Sequence, residues 1–225
     1  MSSERARSAA LTAFLVVLGG CGAAQARPGL AAQACAIPLG EELVDVRRAD
    51  PSIRVELRYA TENNFTGRRL PGYDAPRALL HPASAAALAR VQARLRDEGL
   101  GLKVFDAYRP VRATLAMVEW AERTDNVWVL DQGYVARQSG HNRGNTVDLT
   151  LVDLRAGREL DMGTPFDTFS EAAHTANATG QVLENRMKLK RAMEAEGFAN
   201  YDKEWWHYRL HVPDIPLDVP LSCFR

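Results

Sequence analysis

The chain has 225 residues, 46% of them hydrophobic, enough to bury a sizeable core in what is most simply one domain. Its 28 basic and 28 acidic side chains cancel to a formal net charge of zero, with neither a basic run nor an acidic tail. That argues against a nucleic-acid partner, because phosphate binding needs concentrated Lys and Arg.

Residues 1 to 26 read as a secretory segment and not as fold. Arg5 and Arg7 precede an apolar run from Ala9 to Leu18, and small residues follow. The run is too short to span a bilayer as a helix. Two processing sites compete. Leu18-Gly19-Gly20-Cys21 resembles a bacterial lipoprotein signal with Cys21 as the lipidated first residue, and Ala24-Gln25-Ala26 fits ordinary cleavage after Ala26. Either way the expectation is export to the periplasm or cell envelope, with membrane contact only through a lipid anchor. In an oxidising compartment the two remaining cysteines, Cys35 and Cys223, read as a disulfide, the alternative being two unpaired thiols. Residues 27 to 42 read as a lead-in or tether, and residues 43 to 225 as one domain.

Within that domain, Ile53 to Tyr59 alternates as a half-buried strand, and Asn63 to Pro76 is a long loop rich in Asn, Gly and Pro. Tyr73 reads as an aromatic packing that loop down. Pro82 opens a helix to about Glu98, closed by Gly99, with Leu88, Val91 and Leu95 as its apolar stripe and Arg90, Arg94 and Arg96 on a solvated face. Leu102 to Ala107 is a strand. Arg109, preceding a proline, avoids the α region and so sits at the strand's end, a rigid mount for a cation. Pro110 starts a helix holding Leu115, Val118 and Ala121. Arg155 to Arg158 is a hairpin-like turn, and Asp161 to Thr175 a polar loop whose Asp161 and Asp167 suit turns or caps. Leu183, Met187 and Met193 mark a helix over 181–196, closed by Gly197. His81 and His174 read as ordinary loop histidines.

The chemistry concentrates in Ser139-Gly140-His141-Asn142-Arg143-Gly144-Asn145-Thr146-Val147-Asp148. Val147 to Leu151 reads as a strand with Thr146, Asp148 and Thr150 on one face and Val147, Leu149 and Leu151 on the other. Asp148 would project from this strand, and His141 would return over it from a glycine-bearing loop. That pair suits zinc, which takes imidazole nitrogen and carboxylate oxygen at about 2.0–2.2 Å and keeps three protein ligands in catalytic sites. Glu204-Trp205-Trp206-His207-Tyr208 supplies the rest, with His207 on a strand as third ligand. Glu204 can share the site only from just before the strand or from a bulge. His211 is the rival ligand, but in a strand it lies about 13 Å further along.

These residues carry a resemblance to the zinc D-alanyl-D-alanine dipeptidases of the VanX type. The family pattern S-x-H-x-x-G-x-A-x-D is met by Ser139, His141, Gly144 and Asp148, with Thr146 in place of the alanine, and E-x-x-H by Glu204 and His207. Tyr108-Arg109-Pro110, Asn64-Phe65-Thr66-Gly67 and Met162-Gly163-Thr164-x-Phe166-Asp167 also match, so the likeness runs from Asn64 to Tyr208. It implies one Zn2+ ion on His141, Asp148 and His207, Glu204 as general base, and Arg109 as the cation that stabilises the developing oxyanion. It further implies that Asp167 binds the free ammonium of a small D,D-dipeptide and that Ser139 touches the substrate. The expected fold is α+β, a small, mostly antiparallel sheet with flanking helices. A doubly wound α/β sheet is the alternative. The rival functions are a zinc D,D-carboxypeptidase acting on peptidoglycan stems and a non-catalytic cell-wall binding module.

Overall fold

The fold is described from a computed structural model that covers residues 35–38, 42–213 and 215–224, all within the unit formed by residues 31–225. The expected secretory segment and its processing sites at Cys21 and Ala26 lie outside the described residues. In chain order the elements are β1 (Val44–Asp45), α1 (Val46–Ala49), β2 (Arg54–Val55), β3 (Leu79–Leu80), α2 (Pro82–Asp97), β4 (Leu100–Asp106), α3 (Val111–Arg123), α4 (Trp128–Asp131), β5 (Thr146–Asp153), α5 (Gly180–Glu194), β6 (Phe198–Asn200) and β7 (His207–Leu210). Five strands form one sheet in the order β2-β4-β5-β7-β6, antiparallel except where β2 runs parallel to β4, and β1 pairs with β3 separately. This is the α+β architecture expected.

The centre of the sheet is β5, whose residues Thr146 to Val152 are all buried. Its apolar face, Val147, Leu149 and Leu151, belongs to the main core, and the polar face carries Asp148. Helices α2 and α5 pack against each other, α2 lying on β4 and α5 against β5 and β6. The α2 sequence explains its ends. His81 Nδ1 accepts the Ala83 amide at 3.2 Å as N-cap, Pro82 occupies the first turn, and Gly99 follows in a left-handed conformation. Leu88, Val91 and Leu95 form the buried stripe. Arg90 and Arg94 reach Glu196, and Arg96 lies 3.4 Å from Asp50.

Three expectations need correction. The strand expected over Ile53 to Tyr59 pairs only at Arg54–Val55, and the chain then turns through Arg58–Ala60. Ile53, Leu57 and Tyr59 remain buried, so the alternation reported burial and not ladder pairing. In α3 the buried stripe is Ala113, Thr114, Met117, Val118 and Ala121, whereas Leu115 is 58% exposed because it falls between the turns of that stripe. In α5, Leu183 and Met187 are half-buried, and the inward positions are Asn185, Arg186, Leu189 and Met193. Arg186 turns inward because it serves three loop carbonyls. Its Nε donates to Met162 O, Nη1 to His174 O and Nη2 to Ala172 O, at 2.8, 2.8 and 2.9 Å. With Trp205 Nε1 donating to Thr164 Oγ1 at 2.8 Å, this holds the 161–174 loop against the core.

Cys35 and Cys223 are joined in a disulfide, with Cα atoms 5.1 Å apart, across a separation of 188 residues. The bond ties the lead-in to the C-terminal segment and closes a loop nearly as long as the domain.

Candidate active site

The site is built by strand register. Asp148 of β5 lies opposite His207 of β7 on one side and Asp106 of β4 on the other. Three polar side chains thus stand side by side across the middle of the sheet. A β-bulge makes this possible: the β4–β5 register shifts between Val104 and Asp106, so that Phe105 is the extra residue. Without the shift, Phe105 would lie opposite Asp148 and Asp106 would move to the other face.

His141 arrives from a 3-10 turn, Gly140–Arg143, capped reciprocally by Ser139 and Asn142. The His141 amide donates to Ser139 Oγ at 3.2 Å, and the Ser139 amide to Asn142 Oδ1 at 3.1 Å. Asn142 Nδ2 donates to Arg109 O and the Arg109 amide to His141 O, so the turn and the end of β4 are laced together. Thr146, in the alanine place of the family pattern, is buried, and its hydroxyl donates to Asn145 Oδ1. A Cβ on Gly140 would come within 2.4 Å of Thr146 Oγ1, so glycine is what lets the threonine sit there.

His141 is fully buried, and its Nδ1 lies 2.7 Å from Ala107 O. A carbonyl can only accept, so Nδ1 carries the proton and Nε2 presents a lone pair to the site. Nε2 is 3.4 Å from His207 Nδ1 and 3.3 Å from Asp148 Oδ2, and His207 Nδ1 is 3.0 Å from Asp148 Oδ1. That last approach lacks hydrogen-bond angles, which leaves the buried Oδ1 without a hydrogen-bond partner. A tetrahedral ion with bonds of about 2.0–2.1 Å spaces its ligand atoms about 3.3–3.4 Å apart. The observed spacings, the directed lone pair and the orphaned carboxylate oxygen together fit a bound cation. His141, Asp148 and His207 are the group able to hold one metal ion among the described residues, and His211 is exposed beyond the end of β7.

Glu204 lies on the turn before β7, as sharing a site with His207 requires, with Oε2 3.5 Å from His207 Nδ1. It is 6% exposed, and burial pushes its carboxyl well above the usual carboxylate range, helped by the charges of Asp148 and Asp167. Arg109 closes the opposite side. Its Nε and Nη2 donate to Asp106 Oδ2 at 3.0 and 2.8 Å, and Nη1 reaches Met117 Sδ at 3.3 Å. The guanidinium sits 5.0 Å over the Tyr59 ring, and Nη2 is 3.9 Å from Asp148.

Asp167 faces the same cavity from the stapled loop, in a left-handed conformation with φ of 63°. Tyr59 donates its hydroxyl to Oδ1 at 2.9 Å, while Oδ2 is buried with no hydrogen-bond partner. Burial pushes this carboxyl up to about 8, against the lowering effect of the Tyr59 hydrogen bond. It is therefore not just a turn residue, unlike Asp161, which accepts the Gly163 amide in an ordinary turn. The cavity has a volume of about 290 Å³, with Ser139, His141, Asp148, Glu204, His207 and Arg109 among its walls. That is at the lower edge of small-molecule sites, which run from about 300 to 1,000 Å³.

Several wall and support residues were not singled out in the sequence. Asp106 anchors Arg109 and accepts the Tyr73 hydroxyl at 2.5 Å, so Tyr73 both packs its loop and steadies the site. Tyr59, Tyr134, Tyr201 and Phe169 line the cavity, and His174 Nε2 lies 3.1 Å from the Tyr134 hydroxyl. Phe65, within the Asn64-Phe65-Thr66-Gly67 match, packs edge-on against Tyr59, Trp120 and Phe169. Asp106 lies three residues before Arg109, a spacing that strict strand alternation puts on opposite faces, so the pattern did not announce this ion pair.

Comparison with known proteins agrees with this geometry. The sequence profile described as "D-ala-D-ala dipeptidase" matches residues 40–225. The D-alanyl-D-alanine dipeptidases of Streptomyces coelicolor and Enterococcus faecalis are 38% and 39% identical to the chain over 188 residues, covering 76% of it and 93% of each relative. That of Escherichia coli is 37% identical over 187 residues, 81% of this chain and 93% of the relative. A profile spanning residues 40–225 and relatives matched over nearly their full length make this chain a member of the D-Ala-D-Ala dipeptidase family of peptidases.

Proposed function

We propose that the chain hydrolyses the D-Ala-D-Ala dipeptide, with one Zn2+ ion held by His141, Asp148 and His207. The observation that carries this reading is the convergence of those three donors, 3.0–3.4 Å apart, with Glu204 beside them and the unpartnered Asp167 oxygen at the same cavity. Zinc at this triad supplies Lewis acidity, which in hydrolases lowers the pKa of water to about 7. Glu204 takes the proton of the attacking water on its carboxylate and passes it to the leaving amine. Arg109, fixed by Asp106, faces the negative charge that develops on the carbonyl oxygen and needs no reorganisation to do so. Asp167 receives the substrate's ammonium on its free oxygen, and Ser139 contacts the bound dipeptide from the turn that carries His141.

An ammonium site one residue from the scissile bond separates a dipeptidase from a carboxypeptidase, since a longer peptide presents a neutral amide there. Purified protein should therefore cleave D-Ala-D-Ala and leave N-acetyl-D-Ala-D-Ala and stem pentapeptides essentially untouched. Asp167→Asn should lose at least about 1.4 kcal/mol of dipeptide recognition, a tenfold rise in KM, while gaining nothing against the acetylated peptide. Preference for the pentapeptide would transfer the assignment to a D,D-carboxypeptidase.

We also propose that the protein acts outside the inner membrane, tethered through a lipidated Cys21, on D,D-dipeptides released by wall turnover or taken for salvage. The Cys35–Cys223 disulfide supports an oxidising compartment. In cell fractionation, the full chain should sediment with membranes and a Cys21→Ala version should not. Intact protein remaining in the cytoplasm with residues 1–20 attached would reject both export and tether.

A further inference from the structure

The cavity walls are not equally anchored. The sheet carries Asp148 and His207, the turn laced to the end of β4 carries His141, and Arg186 and Trp205 staple the Asp167 loop. A further part of the wall, residues 133–136, belongs to a strap of residues 132–136 that follows the four-residue helix α4. Apart from Tyr134, whose hydroxyl lies 3.1 Å from His174 Nε2, its attachment to the opposite side is made by side chains of one turn. Tyr201 donates its hydroxyl to Gly133 O at 3.1 Å, and Lys203 Nζ donates to Gln132 O at 2.7 Å. Lys203 also stands 5.8 Å over the Tyr134 ring.

That turn leads directly into Glu204, whose amide donates to Tyr201 O at 3.0 Å. The Tyr201 ring packs edge-on to the His207 ring at 5.8 Å. Gly133 has φ of 78°, and a Cβ there would sit 3.0 Å from the Tyr201 hydroxyl, so the close approach needs glycine. Two adjacent carbonyls of the strap are thus clipped to the two ends of a three-residue stretch beside the candidate base. The clip fixes the gap between strap and base; the strap's other ties are main-chain bonds back to α4, from the Gly133 amide to Leu130 O and the Val135 amide to Val129 O at 3.1 and 3.0 Å, and the Tyr134–His174 contact.

We propose that Tyr201 and Lys203 are specificity-determining residues: they latch the 132–136 strap across the cavity and thereby exclude peptides longer than two residues. The proposal rests on the dipeptidase reading above. It adds a second filter to the ammonium site, one that acts on length through the wall and not through charge. No chemical step is altered by the latch. Releasing it should widen what is bound at the same catalytic groups.

The test is kinetic, using zinc-loaded protein with D-Ala-D-Ala and D-Ala-D-Ala-D-Ala as substrates. In Tyr201→Phe/Lys203→Met, which keeps the ring on His207 but removes both donors, the ratio of tripeptide to dipeptide kcat/KM should rise at least about tenfold, and amides of residues 132–136 should exchange faster with solvent. Gly133→Ala, which pushes the hydroxyl away from the other side, should shift the ratio in the same direction. Dipeptide turnover with an unmoved ratio in both variants overturns the latch. Unchanged exchange at 132–136 overturns it as well, even in a variant with damaged turnover. Wild-type protein inactive on D-Ala-D-Ala would instead remove the dipeptidase reading, and the exchange result would still judge the latch.

Discussion

Glu204→Gln should retain fold and metal and lose about 10²–10⁴-fold in kcat, the range associated with a positioned general base. The substitution keeps the shape of a 6%-exposed side chain on the turn before β7. It removes only the capacity to accept a proton from the attacking water. The amide therefore isolates proton transfer from packing. Metal content and circular dichroism should match the parent protein while turnover collapses. Near-normal turnover in metal-loaded Glu204→Gln would move the base elsewhere.

Arg109→Lys should lower kcat by about 10²–10³-fold with a much smaller change in KM, as expected for a donor that works on the developing oxyanion. The guanidinium is held from two nitrogens by one carboxylate oxygen of Asp106 while its face covers Tyr59. An ammonium is a compact point charge and cannot make that fork and stack at once. It would either follow Asp106 and leave the cavity side bare, or face the cavity and leave Asp106 unpaired in a buried position. Measured kcat and KM for the lysine variant check this, and activity within threefold of the parent would show that charge alone suffices.

The candidate metal ligands and Glu204 were legible in the sequence because their spacing follows element geometry, whereas the roles of Asp167 and Ser139 came only from the family resemblance. Asp148 follows from a clean alternation, and the three-residue offset of Glu204 from His207 correctly demanded a position before the strand. What the alternation could not carry was register between strands. Asp106 faces Asp148 only because one residue, Phe105, is bulged out of β4, and no local pattern announces that. Ile53 to Tyr59 shows the converse: burial alternated across the stretch, but pairing stopped after Val55. Arg186 was hidden for a different reason. A long cation in a helix reads as solvent-facing, and its partners are backbone carbonyls of a distant loop, which have no sequence signature. The same holds for Tyr201 and Lys203, whose acceptors are main-chain oxygens about 70 residues away, at separations of 68 and 71.

One metal ion and one reaction are joined at this site, and a single zinc titration addresses both. Purified protein is stripped with a chelator, its zinc content measured, and D-Ala-D-Ala hydrolysis followed as zinc is returned. Stripped protein should show no turnover, recovery should saturate at one zinc per chain, and His207→Ala should show no such recovery. Full turnover in metal-free protein, or recovery in His207→Ala with stoichiometric tightly held zinc, would contradict this assignment.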